Sequence, residues 1–148
     1  MTPSITAMTV DDVPLIGEIE KRNYTIPWTE NIFSDCVKAG YKGMVMRGSG
    51  NILGYAILQI GYREAHVLNL CIDAPYQGNG YARAFLQHME VVSIADGAEM
   101  MFLEVRPSNP RARTLYELSG FNEISVRKDY YDTKTGREDA VVMAKALN

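Results

Sequence analysis

Val13, Ile16 and Ile19 recur at three-residue spacing, and one apolar face of that period predicts a helix running to about Arg22. Thr9 is placed as its N-cap, with Asp11 and Asp12 in the first turn, where negative charge suits the positive end of the helix dipole. Residues 4–8 before it read as a short strand. Ile26-Pro27-Trp28 breaks the helical period, and Thr29 then caps a second short helix carrying Ile32, Phe33 and Val37. Beyond it the pattern turns to β. Residues 43–47 and 52–60 flank the turn-rich Gly48-Ser49-Gly50-Asn51, and Glu64–Ile72 is a third run, ending at Asp73-Ala74-Pro75 where proline interrupts pairing. Ala82, Phe85, Leu86, Met89 and Val92 form the stripe of the longest helix, with Gly97 where it should stop. Met100–Val105 reads as a strand and Pro110–Leu118 as a helix with Gly120 as its terminator. Two closing strands, 124–130 and 139–146, meet around Thr135-Gly136. The order β-α-α-β-β-β-α-β-α-β-β predicts a mixed α/β domain.

At 148 residues the chain fits a single domain, 1–148, long enough to bury about two-thirds of its unfolded surface. Its 47% hydrophobic and 22% charged residues belong to a soluble globular protein. A net charge of −3 with no basic stripe argues against nucleic-acid partners. Cys36 and Cys71 stand apart, with no C-x-x-C spacing and no histidine pair, so neither a disulfide nor a metal site is expected and the reducing cytoplasm suits the chain. The N-terminal residues show no leader pattern, and no apolar run approaches the roughly 18 residues that span a bilayer. Oligomeric state is not legible.

The most informative stretch is Leu70-Cys71-Ile72-Asp73-Ala74-Pro75-Tyr76-Gln77-Gly78-Asn79-Gly80-Tyr81-Ala82-Arg83. A buried strand leads into a glycine-bearing loop, which opens straight into the longest helix. Unpaired N–H groups and the dipole at such a helix start suit a pyrophosphate, and Gly78 and Gly80 leave the backbone open to close approach. The spacing is neither G-x-G-x-x-G nor G-x-x-x-x-G-K-[ST], which disfavours a dinucleotide fold or a P-loop. Taken alone, the loop is equally an ordinary turn.

About twenty residues later, Leu103-Glu104-Val105 sets a carboxylate in an apolar strand, where an unpaired charge is costly. Asn109 is an N-cap before Pro110, and Tyr116 lies seven residues on, two turns down the same helical face. Together, Gln77-x-x-Gly80-x-Ala82 and Asn109-x-x-Ala112-x-x-Leu115-Tyr116-x-x-x-Gly120-Phe121 resemble the GNAT acetyltransferase superfamily. Three further stretches are similar to the branch of that superfamily that acetylates the N-terminal alanine of ribosomal protein S18: Ile26-Pro27-Trp28-Thr29-Glu30, Leu103-Glu104-Val105-Arg106, and Tyr130-Tyr131 followed by Gly136-Arg137-Glu138-Asp139-Ala140.

The resemblance implies an α/β fold with a central sheet of about seven strands, splayed between the fourth and fifth and flanked by about four helices. Acetyl-CoA would lie in the opening. Leu70, Cys71 and Ile72 would pair with the pantetheine arm, Gln77 and Gly78 through Arg83 (Asn79, Gly80, Tyr81 and Ala82 between them) would hold the pyrophosphate, and Asn109 would contact the cofactor further along. Glu104 matches the family's proton acceptor and Tyr116 its proton donor, while Pro27, Trp28, Tyr131, Glu138 and Asp139 fall in segments over the acceptor. Gly78 departs from the family, which usually carries a longer, often basic residue there. Arg83, Arg111 and Arg113 are the candidates for the coenzyme A 3′-phosphate.

The chemistry favours an N-terminal amine. With a pKa of about 7.7–8.0 an α-amine is roughly 10–15% neutral at pH 7, whereas a lysine at about 10.4 is neutral about once in 2,500 molecules, a penalty near 4.6 kcal/mol. Glu104 as base, Tyr116 as acid and backbone N–H near Cys71 or Ile72 for the oxyanion give direct transfer without an acyl-enzyme. Three other readings stay open: a small amine such as a polyamine or amino sugar as acceptor, protein lysines, and a non-enzymatic acetyl-CoA-binding module. From residues alone, Glu104 is equally a paired strand carboxylate and Tyr116 a core tyrosine. Cys71 reads as a structural thiol, and His66 and His88 are given no role.

Overall fold

Met44 and Met46 pack into one apolar cluster and Val45 into another, because the strand that carries them is covered on both faces. The computed structural model describes residues 2–148; Met1, the start of the segment searched above for a leader, lies outside them. Its strands are β1 (Ser4–Ala7), β2 (Lys42–Gly48), β3 (Asn51–Gly61), β4 (Glu64–Ile72), β5 (Met100–Val105), β6 (Asn122–Thr133) and β7 (Gly136–Ala146). They form one sheet in the order β1-β2-β3-β4-β5-β7-β6, antiparallel throughout except between β4 and β5. On one face α1 (Val13–Asn23) and α2 (Glu30–Lys38) bury Ile16, Ile19 and Phe33 against Val45, Tyr55, Ile57 and Cys71. On the other, α3 (Tyr81–Ala95) and α4 (Pro110–Leu118) bury Phe85, Leu86, Met89 and Tyr116 against Met44, Leu58, Met101 and Leu103.

The expected splay is present, and its register is visible. β4 and β5 pair from Glu64↔Met100 to Val67↔Leu103 and no further, although β4 continues to Ile72 and β5 to Val105. A β-bulge lies at the same level. β3 pairs Leu58 with Val67 and Ile57 with Asn69, so Leu68 is skipped. Such a bulge changes the alternation of a strand, and beyond it Leu70 and Ile72 join the α3–α4 cluster while Cys71 joins the α1–α2 cluster.

Three elements differ most from the sequence expectation. Thr9 does not open a continuous helix; a 3₁₀ turn (Val10–Asp12) comes first, with the Asp12 carboxylate accepting from the Thr9 N–H at 2.9 Å, and α1 starts at Val13 with Pro14 in its first turn. Proline has no N–H to donate and is at ease only there. β6 and β7 are also longer than expected and distorted. The register jumps from Arg127↔Ala140 to Tyr131↔Glu138, so three β6 residues face one on β7. Asp129 takes a φ of +52° at the bulge, and its N–H donates to Asp139 Oδ1 at 3.0 Å. Among the described residues no helix is long and apolar enough to cross a membrane.

Candidate active site

The loop between β4 and α3 has the geometry of an anion cradle. Gly78 and Gly80 sit at φ +81° and +79°, a left-handed conformation that side chains rarely tolerate. Gly80 is the N-cap of α3 and brings no side chain to its first N–H groups, which leaves them for a ligand. The loop is pinned from inside. Gln77 Nε2 donates to the Ile72 carbonyl at 2.8 Å, and Asn79 Nδ2 donates to the carbonyls of Tyr76 (3.0 Å) and Gln77 (3.3 Å). Asp73, only 2% exposed, caps the 3₁₀ turn Ala74–Tyr76 and accepts from Arg22 and Asn23 of α1. Burial opposes its ionisation, but these donors and the Arg22 charge hold the carboxyl below its usual range.

A cavity of about 340 Å³ opens beside the loop. Of the residues expected at the cofactor, Leu70, Cys71, Ile72, Gln77, Gly78, Gly80, Ala82, Arg83 and Asn109 line it, whereas Asn79 and Tyr81 do not. Among the candidate phosphate arginines, Arg83 and Arg111 line it; Arg113 is held at 2.8 Å by Glu117 and at 2.7 Å by Glu123. A bare helix start, a glycine backbone and two lining arginines fit a pyrophosphate-bearing ligand.

A second cavity, about 260 Å³, lies in the splay itself. Glu104, Trp28 and Tyr131 line it, together with Tyr24, Ile26, Asn69 and Arg106, which the sequence reading did not single out. Tyr24, Leu70, Asn109, Ala112 and Tyr116 line both cavities, so the two meet there. The Tyr116 hydroxyl has no hydrogen-bond partner among the described residues, and burial pushes its pKa up to about 12. Burial also pushes the Cys71 thiol up to about 11, although hydrogen bonds from Tyr55 and Tyr24 work in the other direction. A thiol with that value is protonated at neutral pH.

Glu104 is held rather than loose. Its side chain is 9% exposed, and His66 Nε2 lies 2.8 Å from each carboxylate oxygen. The β6 bulge adds the Tyr130 hydroxyl at 3.5 Å from Oε1. His66 is thus the partner that a carboxylate in an apolar strand demanded. The need was legible in the sequence, but the partner was not, because it sits 38 residues away on a neighbouring strand.

The rim is built from the α1–α2 connection and the β6–β7 hairpin. Trp28 is fixed by its N–H donating to Glu20 Oε2 at 3.0 Å and by its ring against Phe33, with centroids 5.3 Å apart. The other Glu20 oxygen accepts from the buried Tyr55 hydroxyl at 2.7 Å. Pro27 does not line the cleft, though both of its neighbours do. Arg106 stacks 4.1 Å over the Tyr131 ring. Glu138 does not line the splay cavity; it accepts from the Ser108 N–H at 2.8 Å, the Ser108 hydroxyl at 2.9 Å and Arg106 at 3.4 Å. Asp139 braces the bulge, as described above. The carboxamide oxygen of Asn69, at the cleft, is buried with no hydrogen-bond partner among the described residues.

A splayed seven-stranded sheet with a glycine cradle at its mouth is the architecture of the GNAT acetyltransferases, and the model of the Acetyltransferase (GNAT) family matches residues 13–121. The chain belongs to that family and is an acetyltransferase whose cosubstrate is acetyl-CoA. Within the family it is 37% identical over 145 residues to the [ribosomal protein bS18]-alanine N-acetyltransferase of Escherichia coli K12, covering 98% of each chain. The corresponding enzyme of Haemophilus influenzae is 37% identical over 134 residues, covering 90% of this chain and 91% of its own. The crystal structure of the E. coli ribosomal-protein-S18-alanine N-acetyltransferase superposes with a TM-score of 0.91 at 35% identity, covering 99% of this chain and 95% of that one.

Proposed function

We propose that this enzyme transfers acetyl from acetyl-CoA to the N-terminal α-amine of a protein, and that its acceptor is the N-terminal alanine of ribosomal protein S18. The observation that carries the reading is the splay cavity: Trp28, Tyr24 and Tyr131 wall a slot whose lining acids are Glu104 and Glu20. Glu20, the other lining acid, already accepts from Tyr55 and Trp28. A polyamine or amino sugar needs several carboxylates for its extra charges, whereas a peptide N-terminus needs one acceptor for its ammonium and polar partners for its backbone. The unpartnered oxygen of Asn69 offers such a partner to a peptide N–H. The relatives' activity on an S18 N-terminus agrees with this slot.

In this reading acetyl-CoA supplies an activated thioester, and the protein supplies position and proton handling. Gly80 and the start of α3, with Arg83 and Arg111, hold the phosphates. Glu104 takes one proton from the ammonium so that the neutral nitrogen attacks the acetyl carbonyl; as the tetrahedral adduct collapses, Tyr116 gives its proton to the departing thiolate and is restored by the second proton the nitrogen sheds. Main-chain N–H groups of β4 beyond the bulge face the developing oxyanion. Cys71 has no covalent part. The residues 1–148 act as one domain, in the cytoplasm where ribosomal proteins are made.

The test is thiol release from acetyl-CoA with a short peptide beginning Ala-Arg-Tyr, the same peptide with a blocked N-terminus, and spermidine. Turnover with the free peptide alone is the expected result. Turnover with spermidine and none with the peptide would overturn the acceptor while leaving acetyl transfer intact.

A further inference from the structure

We propose that His66 is a positioning residue for the reaction, holding the Glu104 carboxylate aimed into the splay cavity. The inference rests on Glu104 being the proton acceptor. His66 pairs with Phe102 one rung below Val67↔Leu103, the last rung before β4 and β5 diverge. From there its Nε2 reaches diagonally to the carboxylate two residues further along β5, 2.8 Å from both oxygens. The contact therefore crosses from one strand to the other at the apex of the splay.

The two side chains are arranged in series. Glu104 lines the cavity and His66 does not; the carboxylate stands between the imidazole and the acceptor. The imidazole is 31% exposed, against 9% for the carboxylate. With Nε2 protonated, one N–H is shared by both carboxylate oxygens, which fixes the plane of the carboxylate. The other neighbour, the Tyr130 hydroxyl at 3.5 Å, is too long to do this alone. Without that contact the carboxylate would lose its fixed orientation, which the reaction needs.

His66→Ala and His66→Gln, with Glu104→Gln as reference, test the assignment through kcat, the KM for peptide, and acetyl-CoA affinity by calorimetry. The glutamine variant returns an amide N–H near the position of Nε2. We expect His66→Ala to lower kcat about tenfold to a hundredfold, the range of a hydrogen bond to a charged group, with acetyl-CoA affinity and thermal midpoint little changed. His66→Gln should recover most of the loss, and His66→Ala added to Glu104→Gln should cost less than about twofold more, because the two side chains act as one unit. Wild-type kcat in both His66 variants while Glu104→Gln is inactive overturns the role of His66 alone. A loss in His66→Ala that tracks lost stability or lost acetyl-CoA affinity, with no recovery in His66→Gln, also overturns it. Full turnover in Glu104→Gln overturns the base assignment on which the inference stands.

Discussion

Arg111 reaches from the first turn of α4 to the glycine loop, with a guanidinium nitrogen 3.8 Å from where a side chain on Gly78 would begin. A second guanidinium nitrogen donates to Gln77 Oε1 at 3.3 Å, and Gln77 in turn holds the Ile72 carbonyl at 2.8 Å. The family resemblance puts a longer, often basic side chain at the loop position that is glycine here, and Arg111 of the neighbouring helix stands beside that position. Arg111→Ala should weaken coenzyme A binding about fivefold to thirtyfold, less at high salt, because the contact is charged and open to solvent. Arg113→Ala should change it little, since its guanidinium is already committed to Glu117 and Glu123. Calorimetric titration at two salt concentrations distinguishes them.

Glu104→Gln and Tyr116→Phe should each lower kcat by about 10²–10⁴-fold, the usual worth of a positioned acid or base. Acetyl-CoA affinity should persist in Glu104→Gln, whose side chain lines only the acceptor cavity. Steady-state kinetics with the free peptide, set beside direct binding measurements, check both. Unchanged kcat in either variant would remove that residue from the mechanism.

Asp73 joins α1 to the end of β4, and its buried carboxylate should matter for stability. Asp73→Asn should cost about 2–3 kcal/mol at neutral pH, less than a fully buried pair because Arg22 is half in water. Its carboxyl is held below the usual range, so the stability it contributes is complete above about pH 4 and is lost as pH falls through the lower folded value. Denaturant melts should therefore show wild type and Asp73→Asn converging in acid. A constant gap down to the lowest pH would contradict this.

At the other end of the scale, burial raises Tyr116 to about 12 and also raises Tyr24, Tyr55 and Tyr131. Groups raised in the folded state contribute stability that is complete below about pH 10, their unfolded value, and lost as pH climbs through the folded values. Tyrosinate absorbance should lag that of free tyrosine and then rise together with loss of structure.

Cys71 lines the cavity beside the glycine loop, yet its thiol is pushed up to about 11. Cys71→Ala should keep turnover within about threefold of wild type, and native protein should react slowly with alkylating reagents at neutral pH. A dead variant, or an acetylated Cys71 trapped by mass spectrometry, would replace direct transfer with a covalent route.

The strands and helices that follow a clean period were legible. Glu64–Ile72, Met100–Val105 and Pro110–Leu118 begin and end where the pattern placed them, because Pro75, Asn109 and Gly120 punctuate the chain locally. The β6 bulge was not legible. Asp129 carries no glycine-like signal for its positive φ, and the conformation is held by the carboxylate of Asp139 on the next strand. The residues lining the splay cavity divided the same way. Trp28 and Tyr131 were expected there through their segments, while Tyr24 and Asn69 were not, because no local spacing marks them.

By itself, then, the sequence determined the order of elements, the glycine loop at a helix start, and the presence of a carboxylate and a tyrosine at fixed distances behind it. These are properties of short segments, set by periodicity, capping and the conformational freedom of glycine. The tertiary structure decided what each of them touches. Where β4 parts from β5, which imidazole steadies Glu104, and which arginine stands over Gly78 all depend on contacts between residues far apart in the chain. Those contacts follow from strand register and helix docking, which no local pattern encodes.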